Sequence, residues 1–186
     1  MSVYELTDDE RERMLDALFE KLKIKRWHPT RRELEAEITD YLRKNHPCTL
    51  ATCGSDGTPR ASVVDYVNEG LAIYIFSEGG GKFKNISENS NVAVGIGTSA
   101  RTITSVRGLN IQGTAEVFTD DTPEYSHALK LFKPMLDDFE QRTGSPVVLP
   151  PGMVRVIRIA PIRIVYFHYT KGIAHECWEA QPCLTQ

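Results

Sequence analysis

Residues 48–77 read CTLATCGSDGTPRASVVDYVNEGLAIYIFS. Three short runs rich in β-branched and aromatic residues are separated by two clusters of turn formers, Gly54-Ser-Asp-Gly57 and Asn68-Glu-Gly70. That spacing predicts consecutive antiparallel hairpins, a meander. The period of two begins at Cys48. Upstream of it the apolar residues recur at helical spacing instead.

In the upstream part, Thr7-Asp-Asp-Glu10 is a capping box that leads into Met14, Leu15, Leu18, Phe19 and Leu22, an amphipathic helix. Thr30-Arg-Arg-Glu33 repeats the device ahead of Leu34, Ile38, Tyr41 and Leu42, and this second helix is expected to end near Asn45, before Pro47. Between the helices, KLKIKRWHPTRR concentrates positive charge. Acidic runs flank it and no Gly-containing turn joins two recognition-sized helices, so it reads as a solvated linker.

Downstream, FKNISEN suits a short helix, NVAVGIG a strand, and RTITSVRGLNIQGTAEVF a long β segment with bends or bulges at Gly108 and Gly113. Thr122-Pro123 opens a further helix with an apolar stripe from Tyr125 to Phe139, which Pro134 is expected to kink or split. GSPVVLPPG is a loop, and MVRVIRIAPIRIVYFHY supplies one or two closing strands. The fold class is α+β, mainly β: about six strand runs forming a small antiparallel barrel with helices outside it. The chain divides into an N-terminal helical extension (1–45), the barrel (46–170) and a C-terminal tail (171–186).

Composition bounds the function. The 186 residues are 41% hydrophobic and 25% charged, near the globular average, with a formal net charge of -3. That charge argues against a nucleic-acid binder resting on a broad basic face. The opening residues MSVYELTDDE are too acidic for a signal peptide, and no apolar stretch approaches the ~20 residues of a membrane helix, so a cytoplasmic protein without a membrane partner is expected. Cys48, Cys53, Cys177 and Cys183 have no CxxC spacing; the echo of His46-Pro-Cys48 in His175-Glu-Cys177 fits no common zinc pattern, and no metal is expected.

Chemistry concentrates in FSEGGGKF, residues 76–83. Three glycines allow close backbone approach and Lys82 adds a point charge. The loop is no P-loop, since GGGKF lacks the wider glycine spacing and the Ser or Thr after lysine; it is no dinucleotide fingerprint, since GxGxxG and a βαβ repeat are absent. A cradle ahead of a short helix, with free N–H groups at its start, suits a phosphate. A flexible turn with an exposed lysine fits the loop alone equally well. Arg60 and Ser62 on one strand, and Phe76 and Ser77 ending the next hairpin, would bring a guanidinium and hydroxyls to the same end of two paired strands, making a phosphomonoester pocket.

LATCGSDGTPRASVVDYV, LAIYIFSEGGGKFKNISENSNVAVGI and RGLNIQGTAEVF, in this order, resemble the first hairpin, the second hairpin with its phosphate loop, and the central strand of the pyridoxamine 5'-phosphate oxidase-like family of FMN-binding split β-barrels. The resemblance runs from about Tyr41 to Tyr169. It implies that Arg60 and the backbone of Ala61, Ser62 and Val63 border the flavin ring and phosphate. Phe76 and Ser77 would lie beside the ring and ribityl chain, and Gly81 and Lys82 would hold the phosphate. It also implies a homodimer with FMN at the subunit interface, where Arg107 and its neighbours contact the partner's flavin. Trp178 either covers the isoalloxazine or packs the tail down. The chain departs from the family at Gly80 and Gly81, where a Ser and a second basic residue usually precede the lysine, and at Gly108, often a glutamine. It ends GIAHECWEAQPCLTQ, without the Trp-Gln-Gly and Arg-Leu-His type segment of true pyridoxamine phosphate oxidases, so vitamin B6 oxidation is not expected.

The expectation is an FMN-binding flavoprotein acting as a flavin-dependent oxidoreductase on an unidentified small molecule, with the flavin supplying the redox chemistry. No acid/base pair or nucleophile motif can be named. Two other readings stand beside it: a non-enzymatic flavin-binding or sensing module, and a haem-binding or haem-degrading split barrel in which His168 or His175 ligates iron.

Overall fold

In the computed structural model, which describes residues 7–181, the two capping boxes start helices where the sequence places them. Helix α1 spans Asp8–Leu22 and α2 spans Arg31–Lys44. Strands β1 (Cys48–Cys53) and β2 (Pro59–Val64) form the first hairpin. The run RASVVDYV does not continue as one strand. It breaks at Asp65-Tyr66, and Val67–Glu69 forms a separate short strand, β3, paired with β4 (Ala72–Ser77). Helix α3 (Gly81–Glu88), β5 (Asn91–Gly97), β6 (Arg107–Phe118), α4 (Pro123–Thr143), β7 (Arg155–His168) and β8 (Ile173–Glu179) complete the order.

All eight strands belong to one antiparallel sheet in the order β2-β1-β5-β6-β7-β4-β3, with β8 beside β7. Strands β2 and β3 are therefore neighbours in sequence yet stand at opposite ends of that order. Laid flat, the seven strands of the path would hold their outer members ~29 Å apart, at ~4.8 Å per step. The connection from Val64 to Val67 reaches at most ~10 Å. Only a sheet curled into a barrel satisfies it. The curl is split along β7, whose first half pairs with β4 and whose second half pairs with β8.

Tyr66 explains the break in RASVVDYV. Its ring is fully buried, and its hydroxyl donates toward the carbonyls of Leu42 and Asn45, each at 2.7 Å, at the end of α2. The chain turns inward there and cannot keep the alternation of β2. At Gln112/Gly113 the pairing of β6 with β7 shifts register, and a Cβ on Gly113 would lie 2.5 Å from the Ala160 carbonyl oxygen, so only glycine allows this approach. Gly108, by contrast, keeps regular pairing with Gly97 and Phe167.

The barrel interior is filled by the inward residues of the strands, among them Leu50, Ile73, Ile75, Val94, Ile111, Ile159 and Ile164. Leu34, Ile38, Tyr41 and Leu42 of α2 and Phe83 and Ile86 of α3 belong to the same core. So α2, expected as part of an extension, closes the barrel. Helix α1 makes a smaller cluster, Leu15 and Phe19 against Ala174 of β8, and Arg26 ties it down through Glu12 and Asp16, both at 3.0 Å. Residues 173–179, expected as tail, are strand β8: Ile173 is buried in the barrel core and Ala174 in the cluster with Leu15 and Phe19 of α1. Pro134 neither splits nor ends α4; it lies inside the helix on an exposed position. Among the described residues, no helix is long and apolar enough to cross a membrane.

Burial assigns Ile38 of α2 and Met14 of α1 different weights. Ile38 is completely buried and Met14 is 56% exposed. Ile38→Ala is expected to lower unfolding free energy by about 2–5 kcal/mol, and Met14→Ala by less than about 0.5 kcal/mol, read by chemical denaturation. Equal effects would contradict the role of α2 as a barrel plug.

Candidate functional site

The turn after β4 reaches α3 through Gly80, whose φ of 103° lies where a side chain is strained. No side chain caps the helix; the Phe83 amide donates to the Gly80 carbonyl at 3.2 Å, which leaves the amides of Gly81 and Lys82 open toward the loop. Helix α3 is held against the first hairpin at two points. The Asn85 amide donates to the Thr52 hydroxyl at 3.1 Å, and the Ser55 amide and hydroxyl donate to the Glu88 carboxylate at 2.9 and 2.8 Å. These contacts hold the second half of the helix against β1 and the β1–β2 turn.

Arg60 leaves β2 and lays its guanidinium against the backbone of Gly81, so closely that a Cβ there would fall 2.8 Å from its carbon and two of its nitrogens. Lys82 is buried, 8% exposed, and its ammonium donates to the Gly79 carbonyl at 2.5 Å. The Ser77 hydroxyl donates to the same carbonyl at 3.3 Å. Burial, and after it the Arg60 charge, push the Lys82 ammonium below its ordinary pKa of 10.5. Among the described residues neither Arg60 nor Lys82 has a carboxylate partner. Two cations and an uncapped helix N-terminus thus converge where nothing negative balances them. An anion is the group that this arrangement stabilises.

The structure therefore unites Arg60, Gly81, Lys82 and Ser77, though by a route other than the expected one. Strands β2 and β4 are not paired: β2 ends the sheet order and β4 stands next to its other end, and the curl of the barrel with α3 between them joins their ends. Ala61, Ser62 and Val63 follow Arg60 along β2, which pairs with β1 on one side and forms the sheet edge on the other. Phe76 is turned into the cluster under α4, its ring 4.2 Å from that of Phe132 and edge-on to Tyr125. Arg107 lies apart, donating from Nε to the Thr98 hydroxyl at 3.0 Å. Trp178 is also elsewhere: its indole donates to Glu35 at 2.6 Å, under Arg31, and packs β8 onto α2.

Arg155 escaped sequence reasoning. It pairs in register with Ser77 and stands over the Phe83 ring at 4.8 Å, with the Lys82 ammonium 5.3 Å from the same ring. Its only sequence signal is an arginine in an apolar alternation, shared with Arg158 and Arg163. Of the two histidines considered for iron, His168 sits among Lys171, Arg107 and Glu37, and burial with the nearby cations lowers its pKa. His175 lines a separate groove with Arg11 and Arg163. Beside the cradle opens a cavity of about 710 Å³, sharing Ser77 and Gly79 with it and walled by α4.

Because folding depresses the Lys82 pKa, the unfolded chain holds that proton more tightly between the lowered value and 10.5. Its unpaired charge therefore opposes folding at neutral pH, and the penalty fades as pH rises through that window. Lys82→Met is expected to leave the ligand-free protein at least as stable at pH 7 and to cost about 1–3 kcal/mol of affinity for a phosphate monoester. Thermal melts and equilibrium titration read both. Lower stability with unchanged affinity would make the lysine structural.

Residues 34–168 match the family model described as pyridoxamine 5'-phosphate oxidase. No curated protein sequence matches the chain. Among solved structures, General Stress Protein 26 from Bacillus anthracis is 19% identical with a TM-score of 0.56, over 79% of this chain and 98% of that one. A FAD-binding protein from Mesorhizobium loti is 21% identical with a TM-score of 0.55, over 69% and 90%. A heme binding protein from Mycobacterium smegmatis is 17% identical with a TM-score of 0.59, over 82% and 59%. At such identities the likeness is one of fold, the antiparallel split barrel. The match to the family model runs from the plug helix α2 to the end of β7, through the whole cradle, and the chain belongs to the pyridoxamine 5'-phosphate oxidase family.

Proposed function

We propose that this protein is a homodimeric FMN-binding flavoprotein that acts as a flavin-dependent oxidoreductase on a small molecule. The observation that carries the proposal is the buried Lys82 with the exposed Arg60 beside it, neither having a carboxylate partner among the described residues, at the start of α3. A phosphate monoester supplies the two negative charges that pair lacks. FMN is the flavin that ends in such a group. Lys82, Arg60 and the first amides of α3 would hold its phosphate, with Ser77 at the ribityl side. The edge of β2 from Ala61 to Val63 offers backbone donors and acceptors to the polar rim of the ring. When bound, the flavin supplies hydride or electron transfer; the protein binds, orients and shields it.

The outer face of the sheet supports a dimer. Two rows cross it in register: Val63, Thr49, Gly95, Asn110 and Val165, then Ala61, Ala51, Ala93, Gln112 and Arg163. The middle of both rows is small or uncharged, and Val63 is 72% exposed. Small side chains let a second sheet approach closely, and the face adjoins the edge of β2, where the flavin ring would lie. Such a face fits a second copy of this chain.

The decisive measurement is a visible absorption spectrum after incubation with FMN and gel filtration. Retained flavin at about one per subunit is expected, and Arg60→Ala should weaken it by about 10–100-fold. No retained flavin at any concentration, or haem retained in its place, would overturn the proposal. Ala93→Arg should yield a monomer by sedimentation; a persisting dimer would place the interface elsewhere.

A further inference from the structure

We propose that the cavity beside the cradle takes a small apolar molecule carrying an amine, and that it excludes anions. That this molecule is the oxidoreductase substrate rests on the flavin reading above; the binding preference does not. The cavity is bounded by the end of β4, by α4 and by the segment that follows α4. Its floor is apolar, with Phe76, Phe132, Leu136 and Val154, and Met135 and Leu149 continue it toward the mouth. At about 710 Å³ it is sized for a molecule of one or two rings.

Its charge decides the class of ligand. Asp65 and Glu78 are the charged residues of the lining, and no Lys, Arg or His stands among those residues. The cations of the cradle stand outside the lining: the Lys82 ammonium donates to the Gly79 carbonyl, and Arg60 lies against Gly81. A phosphate or carboxylate entering the cavity would meet two carboxylates and leave water without a replacement partner. An ammonium on an apolar body would bury its body on the floor and place its charge beside Asp65 or Glu78. A phosphorylated substrate such as pyridoxamine 5'-phosphate is unsuited for the same reason. The site is thus bipolar, with a cationic cradle and an acidic cavity meeting at Ser77 and Gly79. Apolar surface continues outside it, since Phe139 of α4 and Val148 and Met153 of the following segment remain exposed.

The test is calorimetric titration with 2-phenylethylamine and with phenylacetate, which share a ring and differ in the sign of their charge. It is made on the full protein after FMN incubation and gel filtration, whether or not flavin is retained. The amine is expected to bind at least about tenfold more tightly than the acid. Asp65→Asn should reduce that preference, and Met135→Trp, which fills the mouth, should abolish amine binding while flavin content stays unchanged. Should Met135→Trp fail to fold, Asp65→Asn decides. Equal binding of both probes, tighter binding of the acid, or no binding of either would overturn the inference even with flavin retained. Amine preference without retained flavin would uphold it and remove only the flavin reading.

Discussion

Two residues, Asp65 and Tyr66, join strands at opposite ends of a seven-strand path, and the rest of the structure follows from how short that connection is. A chain of three peptide steps cannot bridge a flat sheet. The sheet must curl until its ends nearly meet, and Tyr66 locks the closure by burying its ring and bonding to the end of α2. The curl leaves two open ends. Helix α2 plugs one with Leu34, Ile38 and Leu42, and α3 seals another part of the core with Phe83 and Ile86.

Closure also creates the cradle. Arg60 belongs to one end of the strand order and Ser77 to a strand near the other, so a ladder of hydrogen bonds never joins them. Helix α3 does, because Asn85 and Glu88 hold it to the first hairpin while its first residues continue from β4. The arrangement holds an ammonium out of water beside a second cation, which is unfavourable on its own. Its persistence in the fold is understandable as preorganisation for an anion, the usual exchange of stability for function at a binding site.

The two sides of the Ser77–Gly79 turn have opposite chemistry. On one side cations and open amides suit a phosphate; on the other, carboxylates border an apolar cavity. One molecule anchored by its phosphate and a second held by its apolar body would meet at that turn, which is the geometry a two-substrate or cofactor-and-substrate reaction requires.

Much of this was legible in residue order. The capping boxes at Thr7 and Thr30, the turn cluster from Gly54 to Gly57, the glycine-rich approach to Lys82 and the Thr122-Pro123 helix start are local signals, and they appear where expected, whereas Asn68 and Glu69 of the second cluster are part of β3. Arg60, Ser77, Gly81 and Lys82 were nameable as a group because their residue types suit an anion. The sequence by itself determined the elements and the chemistry available to the site. Only the tertiary structure decided that RASVVDYV is two strands, that α2 is core, that residues 173–179 form a strand, that Phe76 turns into α4, and that Arg155 stands beside Ser77. Each of these depends on contacts between residues far apart in the chain. Burial of Tyr66 outweighs the period-two pattern around it, and a stripe such as that of α2 does not reveal which surface will cover it.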